Sequence, residues 1–134
     1  MTTRASGTFD VKLLPLPVEF TGDDAPLARM SIDKRFHGDL DATSKGEMLS
    51  AGSPTQGSAG YVAIEKVTGR LHGREGTFTL QHSATMNRGV PSLSVTVIPD
   101  SGTGALAGLA GTLNITIENK QHSYTFDYAL DGVP

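Results

Sequence analysis

No cysteine occurs in the chain, which removes disulfides, thiolate metal sites and a cysteine nucleophile together and gives no sign of secretion. Aromatic residues make up only 6% of the sequence, and none lies in a basic stripe that would stack exposed bases. Lysines and arginines are spread singly and the formal net charge is −3, so the concentrated basic surface that neutralises phosphates is missing. No nucleic-acid partner is expected, and an oligonucleotide-binding barrel is disfavoured. Long apolar runs are also missing: MTTRASGTFDVKLL has one early basic residue and no apolar stretch before polar residues return. Neither a signal peptide nor a membrane span is expected from this, and a soluble cytoplasmic protein is the default.

Helical periodicity is equally scarce, since no window of a dozen residues carries apolar positions at three- and four-residue spacing free of Gly or Pro. Alternation is everywhere instead. Phe9, Val11 and Leu13 alternate with Asp10 and Lys12, and Met30, Ile32 and Phe36 with Ser31, Asp33 and Arg35. The pattern continues in Phe78 and Leu80, in Leu93, Val95 and Val97, in Leu113, Ile115 and Ile117, and in Tyr124, Phe126, Tyr128 and Leu130. Each run reads as a half-buried antiparallel strand. The 16 glycines fall mainly between these runs, where turns require positive backbone angles.

The expectation is therefore all-β: one domain over residues 1–134, with about eight strands in a meander closed into an antiparallel barrel that leaves no exposed edge. A two-sheet sandwich is the alternative. A weak repeat supports the meander, because Phe36-His37-Gly38, Leu71-His72-Gly73 and Leu106-Ala107-Gly108 recur at a constant spacing of 35 residues. Two stretches break the rhythm, Pro15 to Pro26 and Pro99 to Gly111, and such irregular segments are candidates for a barrel mouth.

The most specific chemistry lies in YVAIEKVTGRLHGREGTFTLQHSATM. A two-residue type II′ turn placed at Gly73-Arg74 sets Val67 opposite Leu80, Glu65 opposite His82 and Ala63 opposite Ala84 on one face, with Lys66 opposite Gln81 on the other. His82 then looks into the core and Gln81 away from it, because adjacent strand residues point to opposite faces. An inward carboxylate is costly unless paired or protonated, and a cross-strand imidazole supplies a donor. If Glu65 accepts from one ring nitrogen, it orients the other as a general acid or base, so Glu65 and His82 form the candidate catalytic pair. The plainer alternative is a self-satisfied buried hydrogen bond.

Phe78 and Leu80 share the inward face with His82, and Tyr61, Tyr124 and Tyr128 share apolar faces from which a hydroxyl can enter a cavity. These five residues are the candidate ligand contacts. Glu47 is not placed, because Met48 and Leu49 make both faces of its strand plausible. His37, His72 and His122 occupy turn-like positions and are expected to be solvated. The histidines lack nearby second ligands at usual spacings, so neither metal nor cofactor is expected. Metalloprotease, phosphate-loop and nucleophile-elbow motifs are all absent, and GTGALAGLAG has the wrong spacing for dinucleotides. Asn114-Ile115-Thr116 matches the glycosylation triplet but means little without secretion.

FHGDL (36–40), GYVAIEKVTGRLHGREGTFTLQHSATM (60–86), VIPDSGTGALAGLAGTL (97–113) and YTFDYAL (124–130) together resemble a bacterial family of small proteins of unknown function with an allene-oxide-cyclase-like barrel. SGTGALAGLAG is also similar, more faintly, to the glycine-rich turn of plant dirigent proteins and allene oxide cyclases. The resemblance implies an eight-stranded antiparallel barrel with an interior cavity, and it transfers no catalytic residue. The functional expectation is a small, mainly apolar molecule bound inside, beside Glu65 and His82. Two alternatives are a cofactor-free isomerase or cyclase and a filled barrel acting only in self-association. Homo-oligomerisation is an expectation of the general shape.

Overall fold

The computed structural model describes residues 2–19 and 27–130. Its eight strands are β1 (Thr3–Leu16), β2 (Leu27–Gly38), β3 (Leu40–Gly52), β4 (Ala59–Leu71), β5 (Arg74–Asn87), β6 (Val90–Val97), β7 (Leu109–Glu118) and β8 (Gln121–Leu130). Each pairs antiparallel with the next, and β8 returns to β1, so the meander closes into a barrel rather than a sandwich. No helix among the described residues is long and apolar enough to cross a membrane.

Alternation decides which side chains face inward. Along β2, Ile32 and Phe36 are buried while Asp33 and Arg35 are exposed, and along β5, Phe78 and Leu80 are buried while Gln81 is exposed. Burial of these apolar side chains supplies the main driving force for closing the sheet.

The barrel has two unlike ends. At one end Phe36, Leu71 and Leu106 are completely buried, and each is followed two residues later by a glycine with positive φ: Gly38 at 100°, Gly73 at 81° and Gly108 at 83°. The 35-residue spacing therefore marks three places where the chain turns over the same end. Phe78 and Phe126 stack there with ring centroids 5.8 Å apart. The Tyr124 hydroxyl accepts from the Leu40 N–H at 2.9 Å and donates to the His37 carbonyl at 2.8 Å, tying down the β2–β3 turn.

The segment from Pro99 to Gly108 covers this closed end instead of forming an open mouth. Its 3-10 turn at Gly104–Leu106 inserts Leu106 into the core, and the Thr103 N–H donates to the Thr77 carbonyl at 2.8 Å. A Cβ at Gly76 would run into the Thr103 carbonyl, so glycine is what allows this close approach. Of the other irregular stretch, only Pro15 and Leu16 are seen to depart from expectation, as the end of β1. β1 continues through Pro15 to Leu16, beyond the Phe9–His122 pair where its ladder with β8 ends, and proline is tolerated on such an edge. Residues 20–26 of that stretch lie outside the described residues.

The β4–β5 hairpin also differs in register. Its turn is His72-Gly73, with φ of 47° and 81°, and Leu71 pairs with Arg74. Two positive angles in succession define a type I′ turn, which places glycine second and not first. Glu65 therefore faces Leu80 and His82 faces Ala63, two residues away from the expected pairing. A shift of two preserves the side-chain faces, so the inward set survives. If Leu106 plugs the closed end as described, Leu106→Ala should lower the unfolding free energy by about 2–5 kcal/mol in urea denaturation. A loss well under about 1 kcal/mol would show that the end is held by other contacts.

Candidate functional site

Four consecutive strands bring four polar side chains into the barrel: Lys34 from β2, Ser44 from β3, Glu65 from β4 and His82 from β5. Lys34 lies directly opposite Ser44 in the β2–β3 ladder, whereas Ser44 and His82 each reach Glu65 along a diagonal. Gly46 occupies the inward position of β3 beside Glu65. A Cβ there would run into the Ile64 carbonyl and lie 2.6 Å from Glu65 Cα. The missing side chain leaves space above β3 in which lysine and carboxylate meet.

Glu65 is the centre of the cluster and is completely buried. Its Oε2 accepts from Lys34 Nζ at 2.8 Å and contacts His82 Nε2 at 2.5 Å, while Oε1 accepts from Ser44 Oγ at 2.7 Å. Burial pushes the carboxyl upward in pKa. The His82 hydrogen bond, the Lys34 charge and the Lys34 hydrogen bond together outweigh it and hold the group down at about 2. Glu65 is therefore a carboxylate near neutral pH, and His82 Nε2 must be the donor in their bond. Lys34 is itself buried, with Nζ 4.8 Å from the Phe9 ring centroid and 5.7 Å from that of Phe36. Those aromatic faces compensate part of its lost hydration.

One polar atom of the cluster has no partner. His82 Nδ1 is buried without a hydrogen bond among the described residues. Leaving such a group unsatisfied costs about 1–3 kcal/mol, which makes it an exception to be explained. His82 and Lys34 line a cavity of about 200 Å³ in the half of the barrel away from Leu106, with Phe9, Ile32, Tyr61 and Ile115 among its walls. Through Met48, Tyr61 and Leu93 it adjoins a groove of about 320 Å³ that runs past Met86 and Pro91. The only ladder pair between β6 and β7 among the described residues is Thr96 with Thr112, and the cavity lies beside the unpaired parts of these strands, at Leu93, Ile115 and Ile117.

The candidates from sequence divide by depth. Glu65 and His82 come together, and Tyr61 lines the cavity with its ring centroid 6.3 Å from that of His82. Burial, and secondarily the Glu65 charge, raises the pKa of the Tyr61 hydroxyl. Phe78, Leu80, Tyr124 and Tyr128 do point inward, but they are packed in the core and do not line this cavity. Tyr128 instead bonds His72 Nδ1 at 2.5 Å, and Tyr124 holds the turn described above. Alternation reveals the face of a strand residue, not its height in a barrel.

Glu47 faces outward and pairs with Arg29 at 2.7 Å. His37 is exposed beside Asp10 at 2.9 Å. His72 is exposed as expected, although its Nδ1 meets the Tyr128 hydroxyl, whereas His122 is half-buried at the cavity, its ring centroid 5.1 Å from that of Phe9. Sequence reasoning does not single out Lys34 or Ser44. Lys34 nevertheless stands in phase with Ile32 and Phe36, and Ser44 in phase with Ala42, which is the available signal. No group of three or more His, Cys, Asp or Glu side chains among the described residues could hold a metal ion.

Fold and site together define a closed meander barrel, sealed at one end, with a charged cluster beneath an apolar cavity at the other. Residues 5–128 match the family described as "Protein of unknown function (DUF3224)", and the chain belongs to that family. It is similar to a solved structure of a DUF3224 protein of unknown function from Shewanella oneidensis MR-1. The two are 49% identical, with 98% of this chain and 99% of that one covered and a TM-score of 0.94. No curated protein matches the sequence significantly.

The low pKa of Glu65 has a definite sign for stability. A carboxyl depressed from an ordinary 4.5 to about 2 contributes stability that is present above about pH 4.5 and is lost as pH falls toward 2. The loss should be on the order of 3 kcal/mol in urea unfolding between pH 6 and pH 2, and Glu65→Gln should lack this component. Identical acid profiles for the two proteins would contradict the assignment.

Proposed function

We propose that the protein binds a small, mainly apolar molecule in the half of its barrel away from Leu106, with His82 as the polar contact. The observation that carries this reading is the unpartnered Nδ1 of a buried histidine in the wall of an apolar cavity. Binding sites typically combine apolar walls with a few fixed polar groups, which is the combination present here. At about 200 Å³ with an adjoining 320 Å³, the space is near the lower end for such sites and suits a small ligand.

A second reading is favoured by the orientation of His82. Its Nε2 is held by Glu65 while Nδ1 is free, the arrangement a general base requires. This supports a cofactor-free isomerase or cyclase of the allene-oxide-cyclase or dirigent kind as an extension of the binding reading. Turnover of a reactive polyene or epoxide that disappears in His82→Ala would favour it.

The binding reading is tested by NMR titration with propylbenzene. Signals of Ile32, Met48, Leu93 and Ile115 should shift together, and Leu93→Trp, which fills the shared wall, should weaken binding at least about tenfold. Shifts confined to the outward residues Leu49, Val62 and Ile64, or an unaffected Leu93→Trp, would overturn the reading.

A further inference from the structure

The hydrogen bonds of the cluster restrict what the ligand's polar group can be. Both carboxylate oxygens of Glu65 are engaged, Oε1 by Ser44 and Oε2 by Lys34 and His82. The carboxylate has no proton to give, so His82 must donate through Nε2. In a neutral imidazole the second nitrogen is then an acceptor. Charge balance favours that neutral form, since Lys34 and Glu65 already cancel and an added imidazolium would be a buried, unmatched cation.

We infer that the ligand class is an apolar molecule bearing a neutral hydrogen-bond donor, an alcohol or phenol, whose O–H is given to His82 Nδ1. The inference rests on the binding reading above and specifies its headgroup. A carboxylate headgroup is disfavoured by the same geometry. It would bring a second negative charge against Glu65 with one ammonium between them, and Nδ1 would offer it a lone pair instead of a proton. The other titratable groups at the cavity, Tyr61 and His122, supply no permanent positive charge to offset it. The apolar body of the ligand would lie past Tyr61 toward Met48 and Leu93, the residues that join cavity and groove.

The experiment is a three-way comparison at neutral pH of 4-propylphenol, propylbenzene and 4-propylbenzoate, followed by NMR titration. 4-Propylphenol should bind about tenfold more tightly than propylbenzene, and 4-propylbenzoate should bind most weakly of the three. In His82→Leu the phenol should lose its advantage while propylbenzene still binds. Should that variant fail to fold, nitrogen-15 spectra of the wild-type histidine decide: 4-propylphenol should move the Nδ1 resonance and leave the Nε2–H attached. Equal binding of phenol and hydrocarbon would overturn the headgroup and leave the cavity reading standing. Tightest binding of the benzoate would overturn it too, since the headgroup would then be held by a cationic donor at the cavity, Lys34 or a protonated ring, and not by a lone pair at Nδ1. Binding of none of the three would sink both readings together.

Discussion

A carboxylate stripped of water constrains everything around it. Glu65 is completely buried, and an isolated charge at that depth would neutralise itself or prevent folding. Three strands answer it: β2 with an ammonium, β3 with a hydroxyl and a missing side chain, and β5 with an imidazole. Each donor depends on register, so the cluster and the pairing of β2 through β5 specify one another. A slip of one residue in any of these ladders would turn a partner to the outside and leave Glu65 exposed to its desolvation cost.

Such a cluster is a poor way to gain stability. Buried ion pairs are often matched or surpassed by apolar residues of similar volume, because desolvation offsets most of the Coulomb attraction. The closed half of this same barrel demonstrates the apolar solution, with Phe36, Phe78, Phe126 and Leu106 buried in it. The other half instead holds charge, a nitrogen unpartnered among the described residues, and a cavity side by side. The division between a packed half and a polar, hollow half is what motivates the proposal that a small molecule is held in the cavity.

Much of this was legible in the sequence, and the limits have physical causes. Period-two alternation reports the face of each strand residue, so the antiparallel strands and the inward set including Glu65 and His82 follow from the pattern, whereas closure into a barrel over a two-sheet sandwich does not. Register is set by turn chemistry. The β4–β5 turn uses His72 in the left-handed region ahead of Gly73, and sequence gives little reason to expect histidine there. Because the resulting shift is two residues, Glu65 and His82 meet on a diagonal instead of face to face. Lys34 was concealed by the usual bias that lysine faces water, although its phase between Ile32 and Phe36 points inward. Height within the barrel was not readable at all, which is why Phe78, Leu80, Tyr124 and Tyr128 are inward yet remote from the cavity. The Pro99–Gly108 segment carried no mark of which end it would cover.

Lys34, Glu65 and their neighbours form one charge-balanced unit, and a double-mutant cycle tests this most directly. Stability would be measured by urea unfolding for the wild type, Lys34→Met, Glu65→Gln and the double variant. Glu65→Gln alone leaves a buried ammonium unmatched and should cost about 3–5 kcal/mol, whereas the double variant should recover much of that loss. Strictly additive losses would contradict the account, since they would mean that the two charges do not feel one another inside the barrel.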